Sequence, residues 1–572
     1  MLARRRRLYS NLALILIAIA MGSVIQAMGW AQTSSYALVR ALERGTAVID
    51  PYAWETRDTS WTDGHFYSVK APGMALLVLP FDRAFKAVGL DQIGPAMATR
   101  AHEAGAWRWA RAGVPSGQYV KKLTLARETR DRITNYTPYV WLLSLLACVI
   151  PAYLLMLMIR ALGDQLAPGY GTLAAVATGA GTLILPFSTL FFSHVISAAM
   201  VFGAFALLWR ERGSDRERRW WLFAAGLLGG LAITTEYPLG LAAVIVGIYG
   251  LARYGVGDRR RLFSRAGAYA AGGVLGVLPL AIYNVLSFGS LTYFSYENAV
   301  AEQGASGHDV LGLNDGGFFG ITAPRLSSGF DLLFSVKGLF ALSPVLLLAF
   351  YGLVLMWRAG RRAEVWTIGS IFAAYLIYNA GYWLPFGGGS PGPRFLIPVI
   401  PFLGLALAPA FRRLPLTAIA LTVASTLVLA TATITLPMIG NGDVGLWPDA
   451  IDRVNFEQTW LSGLGVDNNW WGILPFVIPL VAGLIAAVLA SHPLAARARD
   501  AAIGAAAVLA WAGWSMIAPH RPDAVVAGPE HPWAPFVIIV AAISLLTIPL
   551  VSALARRTGG EVVDDEVAGG AA

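Results

Sequence analysis

The chain has 572 residues, 56% of them hydrophobic and 13% charged, with a mean hydropathy of +0.59 and a formal net charge of +9. A soluble domain carries about 25% charged residues, so a soluble enzyme and a disordered chain are excluded. The single cysteine, Cys148, excludes a disulfide-stapled secreted protein.

Apolar runs recur along the whole length and predict an all-α polytopic membrane protein. Arg4 to Arg7 precede a run from Leu12 to Trp30 with no small-residue cleavage site after it, which reads as an uncleaved first helix with a cytoplasmic N-terminus. Further spans are predicted near 137–159, 171–191, 194–209, 220–236, 239–253, 267–288, 340–357, 364–384, 395–411, 415–437, 471–490, 500–518 and 534–554, about fourteen in all (range 12–14). More than half of the 43 Lys and Arg fall in the short stretches that this threading leaves inside. That is the positive-inside pattern and not a nucleic-acid face, so no nucleic-acid partner is expected. A transmembrane domain of 1–554 sends its longer segments, 31–136, 290–339 and 438–470, to the outer face. An acidic tail, 555–572, is expected to be disordered and cytoplasmic.

Polar chemistry gathers in those outer segments. The first begins with a short amphipathic helix from Ser35 to Gly45, suited to lie along the interface, and a second interfacial helix follows from Met74 towards Lys86. Between them stand Asp50, Glu55, Asp58, Asp63, His65 and Lys70, interleaved with aromatics. A carboxylate there can take a proton from an acceptor hydroxyl, and a nearby cation can neutralise a leaving phosphate. The alternative for each is a solvated loop charge. Glu236 in Thr234-Thr235-Glu236-Tyr237-Pro238 stands at a span end with no cation next to it in sequence, which points to function or to a snorkelling acid. His194 occupies a tight turn, where packing and chemistry are equally good readings. Asn284 reads as a capping amide. In Phe386-Gly387-Gly388-Gly389-Ser390-Pro391-Gly392-Pro393-Arg394-Phe395 a glycine-rich turn would let a ligand approach, and Arg394 suits bidentate phosphate binding. No zinc spacing, Walker loop or dinucleotide fingerprint occurs; no cofactor is expected, and a divalent metal stays open.

The stretch Asp50-Pro51-Tyr52, Thr56-Arg57-Asp58 and Asp63-Gly64-His65-Phe66-Tyr67-Ser68-Val69-Lys70-Ala71-Pro72-Gly73 resembles the first outer loop of GT-C integral-membrane glycosyltransferases. The branch it resembles is the one related to protein O-mannosyltransferases and lipid A aminoarabinose transferases. Glu236-Tyr237-Pro238, Gly317-Phe318-Phe319-Gly320 and Gly392-Pro393-Arg394-Phe395 look like the same group. The resemblance implies an inverting transfer of sugar from a polyprenyl-phosphate donor to a glycan, lipid or protein acceptor of the cell envelope, on the outer face of a bacterial inner membrane. Those relatives carry an Asp-Glu pair just before the first interfacial helix, where this chain has Gln32-Thr33-Ser34-Ser35. The base must then be another acid: Asp50 first, Asp58 second, Glu55 third. Lys70 and Arg394 are the implied phosphate ligands, and His65, Tyr67, His194, Glu236 and Tyr237 the implied substrate contacts. The competing readings are a lipid-linked sugar flippase, which would favour acids at the bilayer midplane and inverted repeats, and an inactive GT-C-like binding protein.

Overall fold

The computed structural model of the chain describes residues 2–103, 127–254, 258–302, 305–306, 320–439, 444–491, 494, 497–519 and 532–569. Among them helix predominates. Seven helices are long and apolar enough to cross a membrane, or eight if Leu326–Leu342 and Pro344–Arg358, bent by 101°, form one span. The protein is thus a multi-pass membrane protein, with fewer qualifying spans than the fourteen expected. Part of the shortfall has a local cause. Gly171–Ala180, Leu239–Leu251 and Leu474–Ala490 are apolar helices of only 10–17 residues, against the roughly 20 that cross a hydrocarbon core. The last helix, Trp533–Gly569, carries its backbone through most of the acidic segment expected to be an irregular tail.

The first-loop helix Trp30–Glu43 starts earlier than predicted and is buried from Ala31 to Val39, so it packs within protein. Three of its buried polar residues are tolerated there because they find partners. Gln32 Oε1 accepts from the Gly29 amide at 2.7 Å, Thr33 Oγ1 donates to Gly29 O at 3.1 Å, and Ser34 Oγ donates to Asp58 O at 2.5 Å. Charged groups clamp the neighbouring helices Gly73–Ala87 and Arg127–Ser144 onto it. Glu55 holds Arg40 at 2.5 Å and accepts from Tyr136 at 3.0 Å, while Lys86 reaches Glu43 at 2.5 Å and Asp82 at 2.9 Å, and Tyr139 donates to Asp82 at 2.8 Å.

The all-α expectation needs one correction. Strands Thr59–Thr62 and His65–Ser68 form an antiparallel hairpin, and Ala299–Glu302 and Ala305–Ser306 extend it into a four-stranded sheet. The cause is the Asp63-Gly64 turn, whose residues have φ of 51° and 85°; Asp-Gly favours this two-residue hairpin geometry. The turn sets the register Thr62↔His65 through Thr59↔Ser68, and Thr59 and Ser60 then pair with Val300 and Ala299.

The helix His194–Arg212 links two chemically different ends. Its seventeen-residue separation from His194 to Glu211 spans about 26 Å. At the far end Glu211, fully buried, accepts from Arg253 at 2.6 Å and from Arg265 at 2.9 Å, and Arg265 also reaches Glu217 at 3.2 Å. Removing the acid would leave two buried guanidinium groups short of a counter-charge. Glu211→Gln is therefore expected to destabilise the fold by about 3–5 kcal/mol, measured as a shift of the unfolding equilibrium in detergent.

Candidate active site

The hairpin register builds the first half of the site. Because Thr59 faces Ser68, the next backbone pair is Asp58 with Val69, and the Val69 amide indeed donates to Asp58 O at 3.3 Å. Lys70 follows directly, and its Nζ lies 2.7 Å from Asp58 Oδ2 with both side chains partly exposed. Ser34 from the buried helix pins Asp58 O and bonds Ser68 Oγ at 2.8 Å, fixing this end of the hairpin. The rest of the Lys70-Ala71-Pro72-Gly73 element has a packing role. A Cβ at Gly73 would lie 2.6 Å from Thr234 O and from the Thr235 backbone, so only glycine lets this loop rest on the helix end that leads into Glu236.

The second half comes from distant parts of the chain. Ser295 Oγ donates to Val69 O at 3.0 Å, which brings Tyr296 over Lys70, with the ammonium 5.9 Å from the ring centre. The Ile321↔Tyr382 bridge fixes the end of helix Arg362–Gly381, and the Tyr382 ring meets Phe395 edge-on at 5.4 Å. Arg394 lies with its guanidinium 5.4 Å from the Phe192 ring centre and 5.3 Å from that of Phe395. It shares the Phe192 and Phe395 rings with His194, the partner of Glu236, and Tyr237 beside Glu236 packs on Tyr296 at 6.0 Å. Its Nε is buried without a hydrogen-bond partner, and its one described hydrogen bond is a long 3.4 Å contact to Gly389 O. Burial pushes the Tyr296 and Tyr382 hydroxyls up from their ordinary range, Arg394 only partly opposing it at Tyr296 and Lys70 with Arg394 at Tyr382. Both hydroxyls therefore stay protonated as donors. The cluster holds two cations, one of them without an ion-pair partner among the described residues, beside two acids and several tyrosines.

Glu236 belongs to the same cluster, through His194 and the two rings it shares with Arg394. Its Oε1 lies 2.7 Å from His194 Nδ1, and Ser197 Oγ donates to Oε2 at 3.0 Å. The turn before His194 is held by Cys148, whose Sγ donates to Leu190 O at 3.1 Å from the π-helical turn Leu145–Val149. In the glycine-rich turn, the group that approaches the Gly387 backbone is Arg394. Gly387 has φ of 82°, and a Cβ there would lie 2.4 Å from Arg394 Nε.

Asp58, Lys70, Arg394, Glu236 and His194 thus come together. Asp50 and Glu55 are engaged elsewhere. Asp50 bonds His65 Nδ1 at 2.8 Å and the Phe66 amide at 2.6 Å, and His65 sits three strand steps, roughly 10 Å, from Ser68. Glu55 is buried in the Arg40, Arg132 and Tyr136 cluster. Tyr67 packs on Phe288 at 4.8 Å, and Tyr237 on Phe294 at 5.1 Å beside Tyr296. Asn284, in the last turn of helix Arg259–Phe288, donates to Leu291 O at 3.3 Å and so ties the following loop to the helix. Tyr296 and Tyr382 went unmarked in the sequence. Among the described residues no group of three or more His, Cys, Asp and Glu is arranged to hold a metal. The segment Gly317-Phe318-Phe319 lies outside the described residues.

Fold and site define a multi-pass membrane protein with a cationic, tyrosine-rich cluster of side chains at the ends of its helices. No protein-family model and no curated protein matches the chain. Among solved structures it is similar to the crystal structure of ArnT from Cupriavidus metallidurans bound to undecaprenyl phosphate, at 14% identity and a TM-score of 0.46. It is also similar to the apo state of the same protein, at 15% identity and a TM-score of 0.44, with 95% of this chain and 88% of that chain covered in both cases.

Proposed function

We propose that the protein transfers a sugar, with inversion, from a polyprenyl-phosphate donor to a cell-envelope acceptor at the outer face of the bacterial inner membrane. The reading is supported above all by the gathering of Asp58, Lys70 and Arg394 among one set of aromatic side chains. Two cations can take the charge of a phosphate whose lipid tail lies among the apolar helices, and the adjacent acid can take the acceptor's proton. The acceptor oxygen forms a bond to the anomeric carbon as its proton passes to Asp58. The bond from that carbon to the phosphate oxygen breaks, and its electron pair leaves on the phosphate, stabilised by Lys70 and Arg394. Asp58 is preferred to Asp50 because it alone faces Lys70. It also lies against Ser34, within the Gln32-Thr33-Ser34-Ser35 segment that replaces the acid pair of the GT-C relatives. Without donor Lys70 is held by Asp58; the donor phosphate takes Lys70 over and leaves the carboxylate free to act as base.

The test is to incubate purified protein with polyprenyl-phosphate sugars and a cell-envelope extract. A new glycosidic product with free lipid phosphate is expected. Labelled lipid that crosses sealed vesicles without any such product would favour the flippase reading instead. One structural consequence belongs here: Gly387→Ala is expected to cost about 1–2 kcal/mol in backbone strain and to push Arg394 off its two phenylalanines. Unfolding midpoint and polyprenyl-phosphate affinity, measured together, should both fall.

A further inference from the structure

The helices that end near the candidate site present apolar flanks of unequal height. Helix Arg259–Phe288 turns Phe263, Val274, Leu278, Ile282 and Leu286 outward, the last of them 81% exposed. From the exposed Arg260 to Leu286 this flank is about 39 Å tall. The flank beside Glu236 is much lower. Helix Leu239–Leu251 has 13 residues, a length of about 20 Å, and exposes Leu241, Val244 and Ile248. Helix Arg362–Gly381, which delivers Tyr382, packs on it: Tyr249 donates to Glu364 at 3.0 Å and Tyr375 to Pro238 O at 3.0 Å. Its exposed apolar residues stop at Ile377, about 22 Å from the exposed Arg362. There helix Leu326–Phe334 meets its end, the Arg325 amide donating to Ala380 O at 3.0 Å. Leu326 is 95% exposed, and the segment Leu326–Leu342 is turned by 101° from the helix after it. That is how an interfacial helix lies, with its apolar face in the edge of the hydrocarbon layer.

The two flanks share one scale because they are packed together. Gly230 rests against Gly273, and Gly229 against Ala243, which sets Leu241 level with Leu275. The bond from Tyr375 to Pro238 likewise sets Ile377 close to the level of Ile282. A hydrocarbon core is about 30 Å thick, so the tall flank exceeds it and the low flank falls short by roughly 8–10 Å. Tilting the protein lowers both flanks together and cannot match both, which leaves deformation of the bilayer. We propose that the protein thins the bilayer along the flank formed by Leu239–Leu251 and Arg362–Gly381, so that phospholipid head groups descend to the level of the candidate site. A polyprenyl phosphate then meets Lys70 and Arg394 at head-group depth, and its charge is not drawn into hydrocarbon. This use of the thinned flank rests on the proposed function; the thinning itself does not.

The test reads depth on the two flanks at equal height. Leu241→Cys, Leu275→Cys, Ile377→Cys and Ile282→Cys are each labelled with a nitroxide, in the full chain reconstituted into dioleoyl phosphatidylcholine vesicles. All four side chains face outward, and the native Cys148 is buried. Collision with oxygen and with a water-soluble nickel chelate gives the depth of each label. The label at 241 is expected about 5–10 Å nearer the head groups than that at 275, and the label at 377 about 5 Å nearer than that at 282. Equal depths within either pair, or a deeper label on the low flank, would overturn the proposal. If Arg394→Ala binds polyprenyl phosphate as wild type does, the phosphate-site reading fails instead, and the four depths are unaffected.

Discussion

Asp58→Asn is expected to lower turnover by about 10²–10⁴-fold, the contribution of a positioned general base, while tightening donor binding. The two effects have one origin. In the free protein the Asp58 carboxylate holds Lys70 at 2.7 Å, so a donor phosphate must displace it. The pair is partly exposed, with side chains 20% and 28% accessible, and an ion pair in such a setting is worth up to about 1 kcal/mol. Its removal should therefore improve polyprenyl-phosphate affinity by about three- to fivefold. The amide keeps the shape of the side chain, and the backbone contacts to Ser34 and Val69 do not depend on it. Turnover and a direct binding titration on the same preparation check the two halves. A general loss of structure would lower both quantities, so opposite signs are the signature of this mechanism.

Arg394→Ala should remove about 2.7–4 kcal/mol of transition-state stabilisation, or 10²–10³ in kcat/KM. The guanidinium lies against Phe192 and Phe395 and its buried Nε has no protein partner, so its donors are oriented before the ligand arrives. Arg394→Lys is expected to recover only part of the loss. A flexible ammonium cannot present a planar fork, and it uses the two aromatic faces less well. Steady-state kinetics on both variants, with unfolding curves to confirm that they remain folded, measure the effect.

Part of this site was legible in the sequence because its markers are local. Lys70 before Ala71-Pro72-Gly73, the unaccompanied Glu236 and the Arg394 that closes a glycine-rich turn each stand out within ten residues. The apolar runs foretold helices, although breaks and short lengths reduce the number that qualify as spans. Density alone ranks Asp50 first among the acids, whereas the proposed function prefers Asp58. Asp50 lies amid charges and aromatics, but proximity to Lys70 is decided by hairpin register, and there Asp58 faces it. The Asp63-Gly64 dipeptide carried that information, since a two-residue turn at 63–64 aligns 59 with 68 and 58 with 69. Tyr296 and Tyr382 had no such marker. Tyr296 is delivered by a strand that pairs with residues more than two hundred positions earlier, and Tyr382 by a bridge to Ile321. Side-chain chemistry at a site assembled over such separations depends on tertiary pairing and leaves no periodic trace. The glycine-rich turn shows the complementary case: its residues were rightly singled out, but the group that exploits their open backbone is a side chain of the same chain.

The most direct measurement compares acceptor-dependent release of lipid phosphate from a polyprenyl-phosphate sugar by wild type, Asp50→Asn and Asp58→Asn. Wild type and Asp50→Asn should release it at rates within a few-fold of each other, and Asp58→Asn should release almost none. Release by Asp58→Asn at the wild-type rate would contradict the account.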